Sequence, residues 1–351
     1  MTGPLPGHYN PAVDTSNLVG ITTTIPSEVI FAAGRTPADL NNLFATDRAP
    51  CALVEQAEQA GFPYNLCGWV KGIYAAVKAS GIRSVVAVTA GDCSNSQALM
   101  EVLQFEGLDV FPFAYPYDRD RELLALQIYR MMEHYGATAE AVRDWKRLLD
   151  RIRAKALRVD DLTWREGTIS GWENHYWLVN CSDMNRDPQA YEEGLDAFLA
   201  QAESRSRLLP PEALRLAYLG VPPIFTDLYQ YLEEELGVAV VFNEVQRQFA
   251  MPHTSDDLVE QYLLYTYPYD IFWRLRDIEY EIERRRVDGV IHYTQSFCYH
   301  QVEDMIVRKR LHLPVLTLEG DKPVRLDART RLRIESFVEM LAHARATRAG
   351  S

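Results

Sequence analysis

The feature that most constrains this chain is a series of short, largely apolar runs spaced by helix-length segments. Ser84–Thr89 (SVVAVT) and Gly289–Tyr293 (GVIHY) are the plainest of them. Strands that alternate with helices of this length indicate βαβ units and a parallel sheet. The pattern occurs twice. In the first half, Leu18 to Ile25 reads as a strand ending at Pro26, after which Ser27 can cap a short helix toward Gly34. Glu28 then falls in the first turn, where the helix dipole favours a carboxylate. A helix fits Gly68 to Ser80, closed by Gly81, and another runs near Ser96 to Phe105 before a strand at Leu108 to Phe113. In the second half, strands read at Leu214–Leu219, Val238–Phe242 and Val315–Leu318, flanking the Gly289–Tyr293 run. Helices are expected up to Leu236, from Tyr269 to Arg286, from Val302 to Arg310 and from Arg329 to Arg345.

Between these halves the pattern changes. Asp120 to Arg158 and Asp187 to Ser204 are helical and heavily charged, and Trp164, Trp172 and Trp177 fall in a turn-rich stretch between them. The expectation is an α/β fold of two Rossmann-like (flavodoxin-like) lobes with parallel sheets and a helical inter-lobe connection. The divisions fall at residues 1–160, 161–210 and 211–351. A chain of 351 residues has room for two such lobes. The crevice between them, at the carboxyl ends of the strands, is the default ligand site.

Composition removes several functions. A net charge of −13 argues against a nucleic-acid partner, whose phosphates need clustered Lys and Arg. Runs such as Arg284–Arg285–Arg286 lie beside acidic residues and read as solvated helix faces. No window approaches the roughly 18 uninterrupted apolar residues that a membrane span needs. The N-terminal MTGPLPGHYNP has neither the basic nor the apolar region of a secretory signal, so the cytoplasm is the expected compartment. Neither G-x-x-x-x-G-K-[ST] nor G-x-G-x-x-G is present, so nothing suggests that the chain itself binds ATP or a dinucleotide.

The five cysteines carry no paired spacing and no CxxC, so they form neither a disulfide framework nor a zinc ribbon. In a reducing compartment they are core residues, ligands or nucleophiles. Cys93 and Cys298 each lie just past a strand, and Cys67 precedes a helix whose dipole favours a thiolate. Three cysteines from three turns could converge on one crevice. Soft thiolates select zinc, copper(I) or iron–sulfur clusters. Widely spaced ligands suit a 4Fe–4S cubane with one iron left to water or substrate.

Several segments resemble the 2-hydroxyacyl-CoA dehydratase D-component family, which also includes benzoyl-CoA reductase subunits. They are Ile25–Gly34 with Pro37, Cys67 ahead of its helix, VAVTAGDC to Cys93, DGVIHYTQSFC to Cys298, Leu313–Asp321 and Arg329–Leu341. The resemblance implies a 4Fe–4S cluster at the junction of two Rossmann-like lobes, with Cys67, Cys93 and Cys298 as its iron ligands. It further implies a homologous subunit or homodimer, and electrons from a separate ATP-dependent activase. The substrate class would be an acyl-CoA thioester undergoing radical dehydration or reduction. An electron-transfer or scaffold subunit, and a stand-alone homodimeric reductase of a small non-CoA substrate, are the competing functions.

Other residues have two readings each. Cys51 begins a helix and could replace one ligand, or be inert; Cys181 reads as structural. Glu28 is a candidate facing the crevice beside the cluster, or simply a helix-start carboxylate. Glu244 follows a strand end and could position substrate or be a solvated loop residue. His292, Tyr293, Ser296 and His300 surround Cys298 and are candidates for a proton donor or a hydrogen-bonding neighbour of the cluster, with His292 and Ser296 foremost. Thr89 and Ser94 read as turn and cap residues.

Overall fold

The computed structural model describes residues 15–349. The N-terminal stretch read as lacking a secretory signal lies outside them. The first sheet is built from β1 (Leu18–Ile21), β2 (Thr36–Asp39), β3 (Ser84–Ala90) and β4 (Asp109–Ala114), interleaved with α1 (Ser27–Ala32), α2 (Leu40–Ala45), α3 (Pro50–Gln59), α4 (Gly68–Ser80) and α5 (Ser94–Phe105). Four helices follow: α6 (Arg121–Tyr135), α7 (Ala139–Asp161), α8 (Gly171–Val179) and α9 (Pro188–Glu203). The second sheet comprises β5 (Arg215–Leu219), β6 (Ala239–Asn243), β7 (Gly289–Gln295) and β8 (Val315–Gly320). Its helices are α10 (Leu228–Gln230, continued by a π turn over Tyr231–Glu235), α11 (Glu244–Phe249), α12 (Leu258–Leu264), α13 (Ile271–Arg284), α14 (His300–Arg310) and α15 (Ala328–Ala349).

Both sheets are wholly parallel and share one order, β2-β1-β3-β4 and β6-β5-β7-β8. Two Rossmann-like lobes are therefore present, as the alternation of runs predicts. The middle strands are covered on both faces: every residue of β7 and the first five of β3 are buried. Local signals agree with the boundaries. Gly81 closes α4 at φ +71°, in the left-handed region where glycine meets no Cβ penalty. Asp120 and Thr138 cap α6 and α7 through hydrogen bonds from Leu123 and Ala141 N–H.

Some expectations give way. The first strand ends at Ile21 rather than Ile25, because the Thr22 hydroxyl takes the Val88 N–H (3.0 Å) and the chain leaves the sheet. Ser27 is the first residue of α1 rather than its cap; Pro26 holds the cap position and makes no side-chain bond. Trp172 and Trp177 lie on α8, not in irregular chain, because Ser170 and Glu173 form a capping box that starts a helix there. Trp164 sits in a π turn, Leu162–Glu166, that ends at Gly167.

The long helix α7 holds the molecule together. It buries Val142, Leu149, Ile152, Ala156 and Val159 at helical spacing, with Lys146, Arg153 and Asp160 among them, seven residues apart along the same face. Each charge is matched. Lys146 Nζ donates to the Asp150 carboxylate and to Gln261 Oε1 (2.8 Å), Arg153 Nη1 to Glu28 Oε1 (2.6 Å), and Asp160 accepts from Arg285 (2.8 and 2.5 Å). The helix thus reaches α1 of the first lobe, α12, and the end of α13 in the second. Removing one partner of a buried pair costs about 3–5 kcal/mol, because the other charge is left stranded.

Candidate functional site

The carboxyl ends of both sheets open onto one cavity of about 1920 Å³. The first lobe contributes Thr22 and Thr23 past β1, Asp39 at the end of β2, and Asp92 and Cys93 past β3. The second contributes Val221–Pro223 past β5, and Gln295 and Cys298 at and past β7. Cys67 joins them from the start of α4, and α8 forms a wall between the lobes through Trp172, His175 and Tyr176.

Each of the three cysteines stands at or just before a helix start. Cys67 and Cys93 occupy the cap positions of α4 and α5, and Cys298 precedes α14. Neither Cys67 nor Cys93 accepts a cap hydrogen bond on its sulfur, but the backbone N–H groups of the residues that follow each cysteine, Trp69 and Val70, Asn95 and Ser96, and His300, act to lower the thiol pKa. Oriented amides at a helix start favour an anionic sulfur. Burial opposes it. Loss of solvent pushes the Cys67 and Cys298 thiols up to about 12, helped by mutual repulsion among the three sulfurs and by Asp92. Cys93 is raised by burial and by Asp92 in the same way. Three soft donors, close enough to perturb one another and supplied with amides, make a set that a multiply charged cationic group would turn into thiolates.

Two close approaches fix this geometry. A Cβ on Gly68 would strike the Asp321 carbonyl oxygen of the second lobe, so only glycine lets α4 start there. Gly91, at φ +89°, would place a Cβ 2.8 Å from Pro268 Cβ and 2.9 Å from Pro268 O. Asp92 then locks the turn: it accepts from Cys93 N–H (2.8 Å) and from Ser96 Oγ (2.8 Å). Among the described residues, no three His, Cys, Asp or Glu side chains are close enough to hold a single metal ion. A cubane uses a different iron for each ligand and spaces its sulfurs more widely than one ion does.

The remaining candidates separate. Cys51 lies off the cavity, with Sγ 3.5 Å from the Pro323 carbonyl. Cys181 is buried beside Trp177 O and Tyr191 OH (3.6 and 3.5 Å), and burial raises its thiol to about 11. Glu28, expected as a candidate facing the crevice, is turned into the core and bound to Arg153 (2.6 Å) and Tyr262 OH (2.9 Å). Glu244 is likewise buried, gripped by Arg274 Nε and Nη2 (2.9 and 3.0 Å) and by Gly220 N–H.

His292 and Ser296 sit behind the cavity wall, His292 Nδ1 against Asp304 (2.7 Å) and Ser296 Oγ donating to Glu319 (2.8 Å). Tyr293 donates to Gln295 (2.6 Å), and Thr89 to the Phe113 carbonyl (3.3 Å). Ser94 is exposed at the start of α5. His300 alone of the group around Cys298, apart from that cysteine, faces the cavity.

Sequence reasoning missed Asp92, His175 and Tyr267, all of which line the cavity. Asp92 was legible as a short carboxylate at a helix start, and His175 through the Ser170-x-x-Glu173 capping signature. Tyr267 lies in an aromatic segment, Tyr265–Tyr269, that no periodicity separates from ordinary core.

In open parallel α/β sheets ligands collect at the carboxyl ends of the strands, and here both sheets open onto one cavity at those ends. The family model for the 2-hydroxyglutaryl-CoA dehydratase D-component matches residues 22–341, and the chain belongs to that family. No curated protein matches the chain. Among the described residues no helix is long and apolar enough to cross a membrane.

Proposed function

We propose that the chain is a cluster-bearing subunit of a 2-hydroxyacyl-CoA dehydratase-like enzyme, with Cys67, Cys93 and Cys298 holding a 4Fe–4S cluster. The observation that carries this reading is that these three thiols, two from one lobe and one from the other, border a single cavity at helix starts. When bound, such a cluster supplies one low-potential electron to a thioester substrate. The protein's own groups do the rest. The N–H groups of Trp69, Val70, Asn95, Ser96 and His300, at the helix starts, would favour thiolate sulfur, and Asp92 fixes the Cys93 turn. The apolar walls, including Phe44, Trp69, Val221 and Tyr267, exclude water from the reacting end of the cavity. His292 and Ser296 would act from behind the wall, by orienting groups that line it.

Family membership supports an ATP-dependent activase as electron donor, a companion subunit, and a cytoplasmic setting. A cavity of about 1920 Å³ leaves room for a substrate beside the three thiols, which is consistent with a subunit that holds substrate. The test is anaerobic reconstitution followed by incubation with activase, ATP and a 2-hydroxyacyl-CoA, with and without a companion subunit. Formation of the enoyl-CoA supports the enzyme. Reduction of the cluster with no thioester bound or consumed in any combination would overturn it in favour of an electron carrier.

A further inference from the structure

The cavity does not end at the thiols. It is lined by Val221–Pro223 beyond the carboxyl end of β5, and also by Arg215, the residue that opens that strand. At roughly 3.3 Å per residue, the steps from Arg215 to Leu219 alone set the two ends about 13 Å apart. Apolar side chains such as Ile169, Leu228 and Val240 line the cavity as well, and at the Arg215 end Arg205 and Arg207 join it.

Two of these arginines lack a carboxylate partner. Arg205 is paired with Glu173 (2.7 Å), but among the described residues neither Arg207 nor Arg215 forms an ion pair. Arg207 is exposed and donates to the Arg165 carbonyl (3.0 Å). Arg215 is half-buried and donates to the carbonyls of Trp164 and Arg285 (2.8 Å each). Burial first, and then the charge of Arg207, lower the pKa of Arg215, so the two guanidinium groups feel each other. Nearby acids are engaged elsewhere. Asp288 accepts from the Arg215 N–H (2.8 Å) and from Arg345 (3.2 Å), and Glu233 from the N–H groups of Gly171 and Trp172 (2.6 and 3.3 Å). Guanidinium groups held by carbonyls are fixed in place with their charge uncompensated, and their fork of donors matches a phosphate. Next to Glu173, Trp172 rests on His175 (5.3 Å between centroids, 18° between planes) and stays 47% exposed on the cavity wall. It is a flat surface of the kind on which a nucleotide base stacks.

We propose that this end of the cavity holds the phosphate-bearing nucleotide of a carrier thioester, with Arg207 and Arg215 gripping the phosphates while the thioester reaches back toward the three cysteines. This rests on the reading of the cavity as an acyl-CoA site and assigns the residues that recognise the carrier. Such a carrier keeps its phosphates at the far end of a long uncharged arm from its reacting carbonyl, which suits cations placed a strand's length from the thiol end. Arg205 contributes less, because Glu173 already neutralises it.

The test is calorimetric titration of the anaerobically reconstituted full chain with propanoyl-CoA, with propanoyl-pantetheine, which keeps the arm but lacks the nucleotide, and with adenosine 3′,5′-bisphosphate. No activase or reductant is added, so nothing turns over. Wild type should bind propanoyl-CoA more tightly than propanoyl-pantetheine, and added salt should weaken only the phosphate-bearing ligands. Arg207→Gln, at an exposed position, should weaken propanoyl-CoA about tenfold, the worth of one charge-assisted hydrogen bond, and leave propanoyl-pantetheine unchanged. Arg207→Lys should recover part of the loss, and Arg205→Gln should lose less than Arg207→Gln. Equal affinity of wild type for the two thioesters overturns the proposal, as does an Arg207→Gln protein that binds propanoyl-CoA undiminished or loses both thioesters alike. Arg207-dependent binding of adenosine 3′,5′-bisphosphate with neither thioester bound instead overturns the substrate reading and leaves a site for a free nucleotide. Binding of none of the three ligands to wild type overturns both.

Discussion

In both lobes the third strand of the sheet order runs out three residues before a cysteine: β3 ends at Ala90 ahead of Cys93, and β7 ends at Gln295 ahead of Cys298. The topological position is the same, but the two turns are built differently. The first passes through Gly91 at φ +89°, where glycine is at ease; the second passes through Phe297 at φ +64°, where a bulky residue is strained. The first is locked by hydrogen bonds to one carboxylate, Asp92. Behind the second stands a buried ion-pair network, Glu244–Arg274–Glu303–His300. The third cysteine has no counterpart. Cys67 starts α4, the helix before β3, whereas the helix before β7, α13, starts at Asp270, whose carboxylate is occupied by Phe272 and Trp273 N–H. Two sulfurs thus follow from a shared topology and one breaks the symmetry. Neither lobe alone carries the three-thiol set.

The contrast predicts unequal consequences. Arg274→Ala should cost about 3–5 kcal/mol, since it strands Glu244 in the core. Asp92→Ala should cost only about 1–3 kcal/mol, the loss of hydrogen bonds at a partly buried turn. Urea unfolding measures both, and equal losses would break the comparison.

A pH dependence sharpens it further. Glu233 reaches the Gly171 N–H at the start of α8 (2.6 Å), and burial raises its carboxyl from 4.5 to about 7. A raised acid binds its proton more tightly in the folded state, so its favourable contribution is complete below pH 4.5 and is lost as pH rises through 7. Glu233→Gln should flatten the thermal-stability profile across that window by on the order of 2 kcal/mol. On the first lobe's side the connector is held at Asn180 by the neutral Asn42 amide, so Asn42→Ser should leave the slope intact.

Smaller effects belong to the turns. Gly91→Ala, which meets both a left-handed φ and Pro268, should lose about 1–3 kcal/mol. Phe297→Gly should do the opposite and gain up to about 1 kcal/mol by relieving strain, read as a shift of the unfolding midpoint. A loss there would mean that the Phe297 ring contributes contacts that outweigh its backbone.

Most of the sheet architecture was legible because apolar runs such as Ser84–Thr89 must be strands wherever helices flank them. What escaped was set by tertiary contact. The strand Thr36–Asp39 contains Pro37 and little apolar character, and is a strand only because it lies at a sheet edge beside β1. Helices α11 and α12 are short, and their polar residues, such as Gln246, Gln248 and Gln261, are buried by partners far away in sequence. The same limit applies to the site. Three cysteines at strand ends and a helix start could be read as convergent, and they do line one cavity. That Glu28 turns inward could not be read, because its partner Arg153 lies 125 residues along the chain.

The central claim, that Cys67, Cys93 and Cys298 jointly hold a cluster, is tested most directly by iron and acid-labile sulfide analysis. The anaerobically reconstituted wild type would be compared with single alanine variants at these three positions and at Cys181. The account predicts a full cluster in wild type and Cys181→Ala, and its loss in each of the other three. A wild type free of iron and sulfide, or a Cys298→Ala protein that keeps its full complement, would contradict it.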